Sequence, residues 1–146
     1  MKTTIIVGIV LLAGYMLYSF KTDNKTELPN PNGVHFFNGT WNEALAEADK
    51  QHKLIFLDVY ATWCGPCKKL KKTTFNNEEA GTFFNTNFIN VAIDGETPEG
   101  QKLMAKYGVR GFPTLLIVDA HSNLIARTTG FQSANRLINF GKKNLQ

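Results

Sequence analysis

At 146 residues, the chain has room for one globular domain with a sizeable core and hardly for two. A hydrophobic share of 43%, with 11 Phe, excludes a disordered chain; a net charge of +4, gathered largely at Lys68, Lys69, Lys71 and Lys72, gives no basic stripe for nucleic acid. The two cysteines both lie in Cys64-Gly65-Pro66-Cys67, which excludes a framework of structural disulfides.

Thr3–Phe20 is an uncharged, mostly apolar run of 18 residues between Lys2 and Lys21. That is close to the roughly 20 residues that span a bilayer and longer than the apolar part of a secretory signal. No small-residue cleavage site follows it, and Tyr15, Tyr18 and Phe20 stand where interfacial aromatics belong. The run is expected to be an N-terminal membrane helix over residues 1–20, with a cleaved signal or a core helix as alternatives. An anchor or a signal places the rest of the chain outside the cytoplasm. Lys2 competes with Lys21 and Lys25 in setting orientation. Residues 21–33, polar and carrying Pro29 and Pro31, form a linker, and residues 34–146 form the domain.

Within the domain, Val34–Phe37 reads as a short strand. Thr40 and Glu43 form a capping box for a helix to about Gln51. Leu54–Tyr60 is apolar on both alternating faces, as a strand covered on each side must be. A helix starts around Cys64 and runs through the lysines. Another spans Asn77–Asn85, with Glu78 and Glu79 in its first turn. Phe88–Ile93 is a second buried strand, and Thr97–Tyr107 a helix stopped by Gly108. Thr114–Asp119 and Leu124–Thr129 pair around a turn at His121-Ser122-Asn123, and Ser133–Lys143 closes the chain as a helix. The order predicts an α/β domain: a mixed central sheet flanked by helices on both faces.

The cysteine pair carries the chemistry. A disulfide across two intervening residues constrains the unfolded chain little, so the pair points to redox exchange. Exchange needs one thiolate of lowered pKa and a second thiol in reach. At a helix start, free N–H groups and the helix dipole favour an anionic sulfur on Cys64, with Cys67 one turn along. Gly65 and Pro66 suit the tight entry. Lys68 and Lys69 add positive potential, or form a solvated helix face. A structural zinc site wants four ligands, and beyond the pair there are only His35, His52 and His121, in three separate segments; a two-thiolate copper site is the other metal alternative. No metal and no cofactor are expected.

Asp58 sits in the most apolar strand, on the face of Phe56 and Tyr60. Burial should raise its pKa and suit it to proton transfer with Cys67; the alternative is a hydrogen-bonded structural carboxylate. Phe112-Pro113-Thr114 precedes a strand, and a cis bond at Pro113 would leave neighbouring backbone free for an extended peptide. Gly108, Gly111 and Gly130 read as turn or close-approach positions.

Leu54–Cys67 (LIFLDVYATWCGPC), Tyr107–Val118 (YGVRGFPTLLIV) and Gly130 together resemble the thioredoxin superfamily over essentially all of residues 34–146. The resemblance implies a thioredoxin fold, with Cys64 attacking, Cys67 resolving, Asp58 as buried acid/base and Pro113 as the cis-proline facing the cysteines. It also implies that Trp63 borders a peptide groove together with Gly65, Pro66 and Phe112. The chain departs from soluble thioredoxins at Lys72, where a proline is usual, at Asn90, where a lysine is usual, and in a loop Gly95–Gly100 that looks longer. In these it looks more like exported, membrane-anchored domains of the DsbD carboxy-terminal type. The implied activity is reduction of protein disulfides, fed by a membrane electron carrier. An oxidase or isomerase, or a tethered module that binds unfolded chains or copper, is the alternative.

Overall fold

A computed structural model describes residues 31–145. The expected membrane helix at 1–20 and most of the linker at 21–33 lie outside the described residues, and none of the described helices is long and apolar enough to cross a membrane.

The first helix, α1 (Trp41–Gln51), opens on the reciprocal capping box of Thr40 and Glu43 and ends at His52 in the left-handed conformation. Strand β1 (Leu54–Tyr60) follows, then α2 (Gly65–Thr73) and α3 (Glu78–Asn87), the latter capped by the Asn77 side chain. Strand β2 (Phe88–Asp94), helix α4 (Pro98–Tyr107), strands β3 (Thr114–Val118) and β4 (Leu124–Thr129), and α5 (Ala134–Lys143) complete the domain. Gly108 closes α4 at φ 62°, the conformation that glycine alone adopts freely. The turn between β3 and β4 is held by the Asp119 carboxylate, which accepts the backbone N–H groups of His121 and Asn123.

The sheet runs β2-β1-β3-β4. β1 is parallel to β2 and antiparallel to β3, so the chain crosses over through α2 and α3 between the parallel pair. Side chains alternate across β1 and feed two cores. Ile55, Leu57 and Val59 pack with α1 and α4, through Trp41, Ala44, Ala48, Leu103 and Tyr107. Phe56 packs on the other face with Leu70, Phe84 and Leu137 of α2, α3 and α5. Full burial of each large side chain contributes about 1.5–3 kcal/mol, which is why the strand with apolar residues on both faces is the central one.

One element differs from expectation. Val34–Phe37 is extended but is not a strand of the sheet. The Phe37 N–H donates to the Asn90 carbonyl at 2.7 Å, and the Val34 N–H to the Phe75 carbonyl at 2.7 Å. Between them, side-chain amides take the place of a ladder: the His35 N–H donates to Asn85 Oδ1 at 2.8 Å, and Asn90 Nδ2 donates to the His35 carbonyl at 3.1 Å. Val34 is buried and Phe36 and Phe37 half-buried, so the segment packs onto the domain while asparagines, rather than a strand partner, satisfy its backbone.

Candidate functional site

The site forms where β1 ends and α2 begins. Cys64 is the N-cap of α2, with extended backbone (φ −72°, ψ 115°), and Gly65 and Pro66 make the first helical turn. Pro66 lacks only an N–H that the first turn does not use. Cys64 Sγ accepts the Cys67 backbone N–H at 3.2 Å, so the sulfur occupies the position where a helix end stabilises negative charge. The two cysteines are joined as a disulfide, Cα to Cα 5.3 Å. Residue exposures of 3% and 7% for Cys64 and Cys67 do not separate attacker from resolver. Their places on the helix differ: Cys64 lies at the positive end and Cys67 inside the first turn.

Asp58 is 5% exposed, on the same sheet face as Phe56, and its Oδ1 has no hydrogen-bond partner. Loss of hydration pushes its pKa up to about 7. Asp58 and Cys67 line one cleft together with Tyr60, Phe75, Lys68 and Lys71. The Tyr60 hydroxyl is also raised, by burial first and then by the negative charges of Asp94 and Asp58. Asn90, on the neighbouring strand opposite Phe56, brings no charge; its amide donates to the His35 carbonyl and to Asn85 Oδ1.

On the other side of the cysteines, the Phe112–Pro113 peptide is cis. Pro113 lines a groove with Arg110, Gly111, Phe112 and Gly130, and the Gly130 N–H donates to the Pro113 carbonyl at 2.8 Å. Phe112 packs against the disulfide cluster and meets Trp63 edge to face at 6.0 Å. Gly95 permits this: a Cβ there would lie 2.6 Å from both the Phe112 ring and Met104 Sδ. Gly130 adopts φ 76° as a turn position should, whereas a Cβ at Gly111 would meet nothing within 4 Å. Gly65 is equally open, at the exposed rim.

Trp63 is 64% exposed, yet it is held. Its Nε1–H donates to Glu96 Oε1 at 2.9 Å, and the Glu96 N–H donates to Asp94 Oδ1 at 2.9 Å. Sequence reasoning missed Glu96, because a contact 33 positions away leaves no local signal. The β2–α4 connection runs through Gly95 and Glu96 to Thr97, which caps α4 at Pro98. The histidines have local roles: His35 Nε2 contacts the Pro31 carbonyl, His52 caps α1 and His121 lies in the β3–β4 turn. Among the described residues, no group of three or more His, Cys, Asp or Glu is placed to hold a metal.

This architecture is matched by a family model, described as a thioredoxin-like domain, over residues 41–144. The chain belongs to the thioredoxin-like family. It is 36% identical over 101 residues to the thiol:disulfide interchange protein DsbD of Haemophilus influenzae, an alignment that covers 67% of this chain and 17% of that protein. The chain thus spans less than a fifth of the length of the curated relatives it matches. Among solved structures, a proposed disulphide-isomerase from Bacteroides thetaiotaomicron superposes with TM-score 0.69 at 37% identity, covering 78% of this chain and 94% of that one. The DsbD C-terminal domain of Neisseria meningitidis in its oxidised form gives TM-score 0.62 at 30% identity, covering 75% and 99%. Both set this thioredoxin-like domain beside disulfide-exchange proteins.

Proposed function

We propose that this chain is a thiol–disulfide oxidoreductase that reduces disulfides of protein substrates outside the cytoplasm, tethered through residues 3–20. The supporting observation is the Cys64 sulfur at the N-cap of α2, bonded to Cys67, with Asp58 opening onto the cleft that Cys67 lines. In the reduced protein, the Cys64 thiolate attacks one sulfur of a substrate disulfide. A mixed disulfide forms, and the other substrate sulfur leaves as a thiolate that takes a proton. Cys67 then gives its proton to the Asp58 carboxylate and attacks Cys64 Sγ. The Cys64–Cys67 disulfide forms and the second substrate thiol departs, protonated. Two electrons have passed to the substrate, and a dithiol donor, here a membrane electron carrier, returns them. Trp63, Phe112 and Pro113 border the substrate strand, and Gly65 and Pro66 give it room at the rim. No cofactor beyond the disulfide takes part.

The likeness to DsbD favours reduction, while the Bacteroides neighbour, by its description, favours isomerisation. Equilibrating the dithiol with glutathione buffers separates direction: a reductant has a potential nearer to about −270 mV than to about −120 mV. Activity itself is tested by insulin reduction with dithiothreitol. Cys64→Ser is expected to fall to the uncatalysed rate, and Cys67→Ser to accumulate the mixed disulfide. Equal rates for parent and Cys64→Ser overturn the proposal in favour of a binding module.

A further inference from the structure

The charged groups around the cysteines are unevenly distributed. In the cleft beside Cys67, the exposed charges are Lys68 and Lys71, and the single carboxylate, Asp58, is buried. In the groove at Pro113 the charged residues are Arg110 and Arg127. Arg127 is committed to the carbonyls of Tyr107 and Gly108, whereas Arg110 is exposed. Lys69 completes the ring: its ammonium sits 4.5 Å over the Phe131 ring, next in sequence to Gly130 of the same groove. Two further carboxylates, Glu96 and Asp94, are gathered on the Trp63 side, where Glu96 accepts the Trp63 indole N–H and Asp94 the Glu96 N–H, so they lie apart from the four cations. An extended chain laid across the disulfide therefore meets cations on both sides.

We propose that this face selects protein partners whose reactive cysteines are flanked by Asp or Glu, with Lys69 and Arg110 reading the charge on the groove side and Lys68 and Lys71 on the cleft side. The proposal rests on the disulfide-exchange reading above and names its substrate class. Exposed cations act mainly by steering encounter and rejecting basic partners, so the preference has to weaken with salt. Lys69 and Arg110 touch neither cysteine nor Asp58, so their effect is carried by the ratio between acidic and basic substrates rather than by the rate on either one.

The test uses the full chain in its dithiol form and three probes. Two are disulfide-bonded peptides of equal length, one with Asp and Glu flanking the cysteines and one with Lys and Arg; the third is neutral hydroxyethyl disulfide. At about 20 mM salt the acidic peptide is expected to be reduced with a kcat/KM about tenfold or more above the basic one, narrowing to about twofold at 0.5 M salt. Lys69→Glu with Arg110→Glu should abolish or invert the preference, read as the ratio of the two peptides' kcat/KM, which any common effect on the Cys64 thiolate leaves unchanged; a ratio equal to the parent's overturns the inference. Equal rates for the two peptides in the parent, with hydroxyethyl disulfide still reduced, overturn this inference and leave the proposed function standing. No reduction of any probe overturns both.

Discussion

The two faces of the sheet are built from the same strands but differ in what they bury. The face under α1 and α4 is dry: Ile55, Leu57, Val59, Ile89, Val91, Ile93, Leu116 and Val118 meet apolar side chains and the edge-to-face pair Trp41–Tyr107. The face under α2, α3 and α5 has the larger aromatic cluster, around Phe56, Phe84 and Phe88, and also holds Asp58 and Asn90, each with an oxygen that lacks a hydrogen-bond partner. Orphaned polar atoms in a core cost about 1–3 kcal/mol each. One face thus gives stability without chemistry, and the other accepts a penalty at the place where the proposed exchange moves a proton.

The largest break of this contrast is to put a carboxylate on the wrong face. Val59 is fully buried on the dry side, one residue beyond Asp58. Val59→Asp should cost about 3–5 kcal/mol, a large share of a domain's stability, because no cleft reaches the new acid. Urea unfolding reads it directly. A midpoint close to the parent's shows that the two faces do not differ in the way described.

Asp58→Asn sharpens the contrast from the other side. The Asp58 pKa is raised to about 7, against an ordinary value near 3.8, so between these the folded state binds the extra proton. Stability that Asp58 allows at low pH is therefore lost as pH rises from about 4 to about 7 and stays lost above. The Asn variant lacks this slope. Its advantage over the parent should grow across that window, to as much as about 4 kcal/mol on the alkaline side. In exchange, Cys67 should resolve mixed disulfides about 10–100-fold more slowly, and the rise of that step with pH through about 7 should vanish. Parallel unfolding curves at every pH, or an unchanged resolving rate, contradict the assignment.

What the sequence made legible follows the same division. The dry face and the strands of the sheet came from periodicity: Leu54–Tyr60 is a strand over its full predicted span, and the Thr40–Glu43 capping box opens α1 as read. Asp58 and Pro113 stood out because each breaks a local rule, a carboxylate in an apolar strand and a proline before one, and the cysteines because the two in the chain stand three residues apart. The contribution of Val34–Phe37 was not, because nothing in its apolar pattern says that Asn85 and Asn90 satisfy the His35 backbone from 50 and 55 positions away. Raised burial of both cysteines was equally invisible, since it arises from the packing of Ala61, Tyr60 and Phe112 around them.

The smallest expected effect concerns how the dry side reaches the site. The loop after β2 leads into α4, and within it Gly95 seats Phe112 while Glu96 holds the Trp63 indole. Glu96→Gln keeps an acceptor but removes its charge, a loss of about 1 kcal/mol at most for an exposed pair. Trp63 should then sample more orientations over the groove. KM for a protein disulfide is expected to rise about threefold with kcat unchanged, because the cysteines and Asp58 are untouched. Since Trp41 is buried and Trp63 exposed, a change in emission reports chiefly on the latter. If KM and emission both match the parent, the indole is held by Phe112 and its own backbone alone, and the dry face ends at Gly95 without shaping what the cysteines meet.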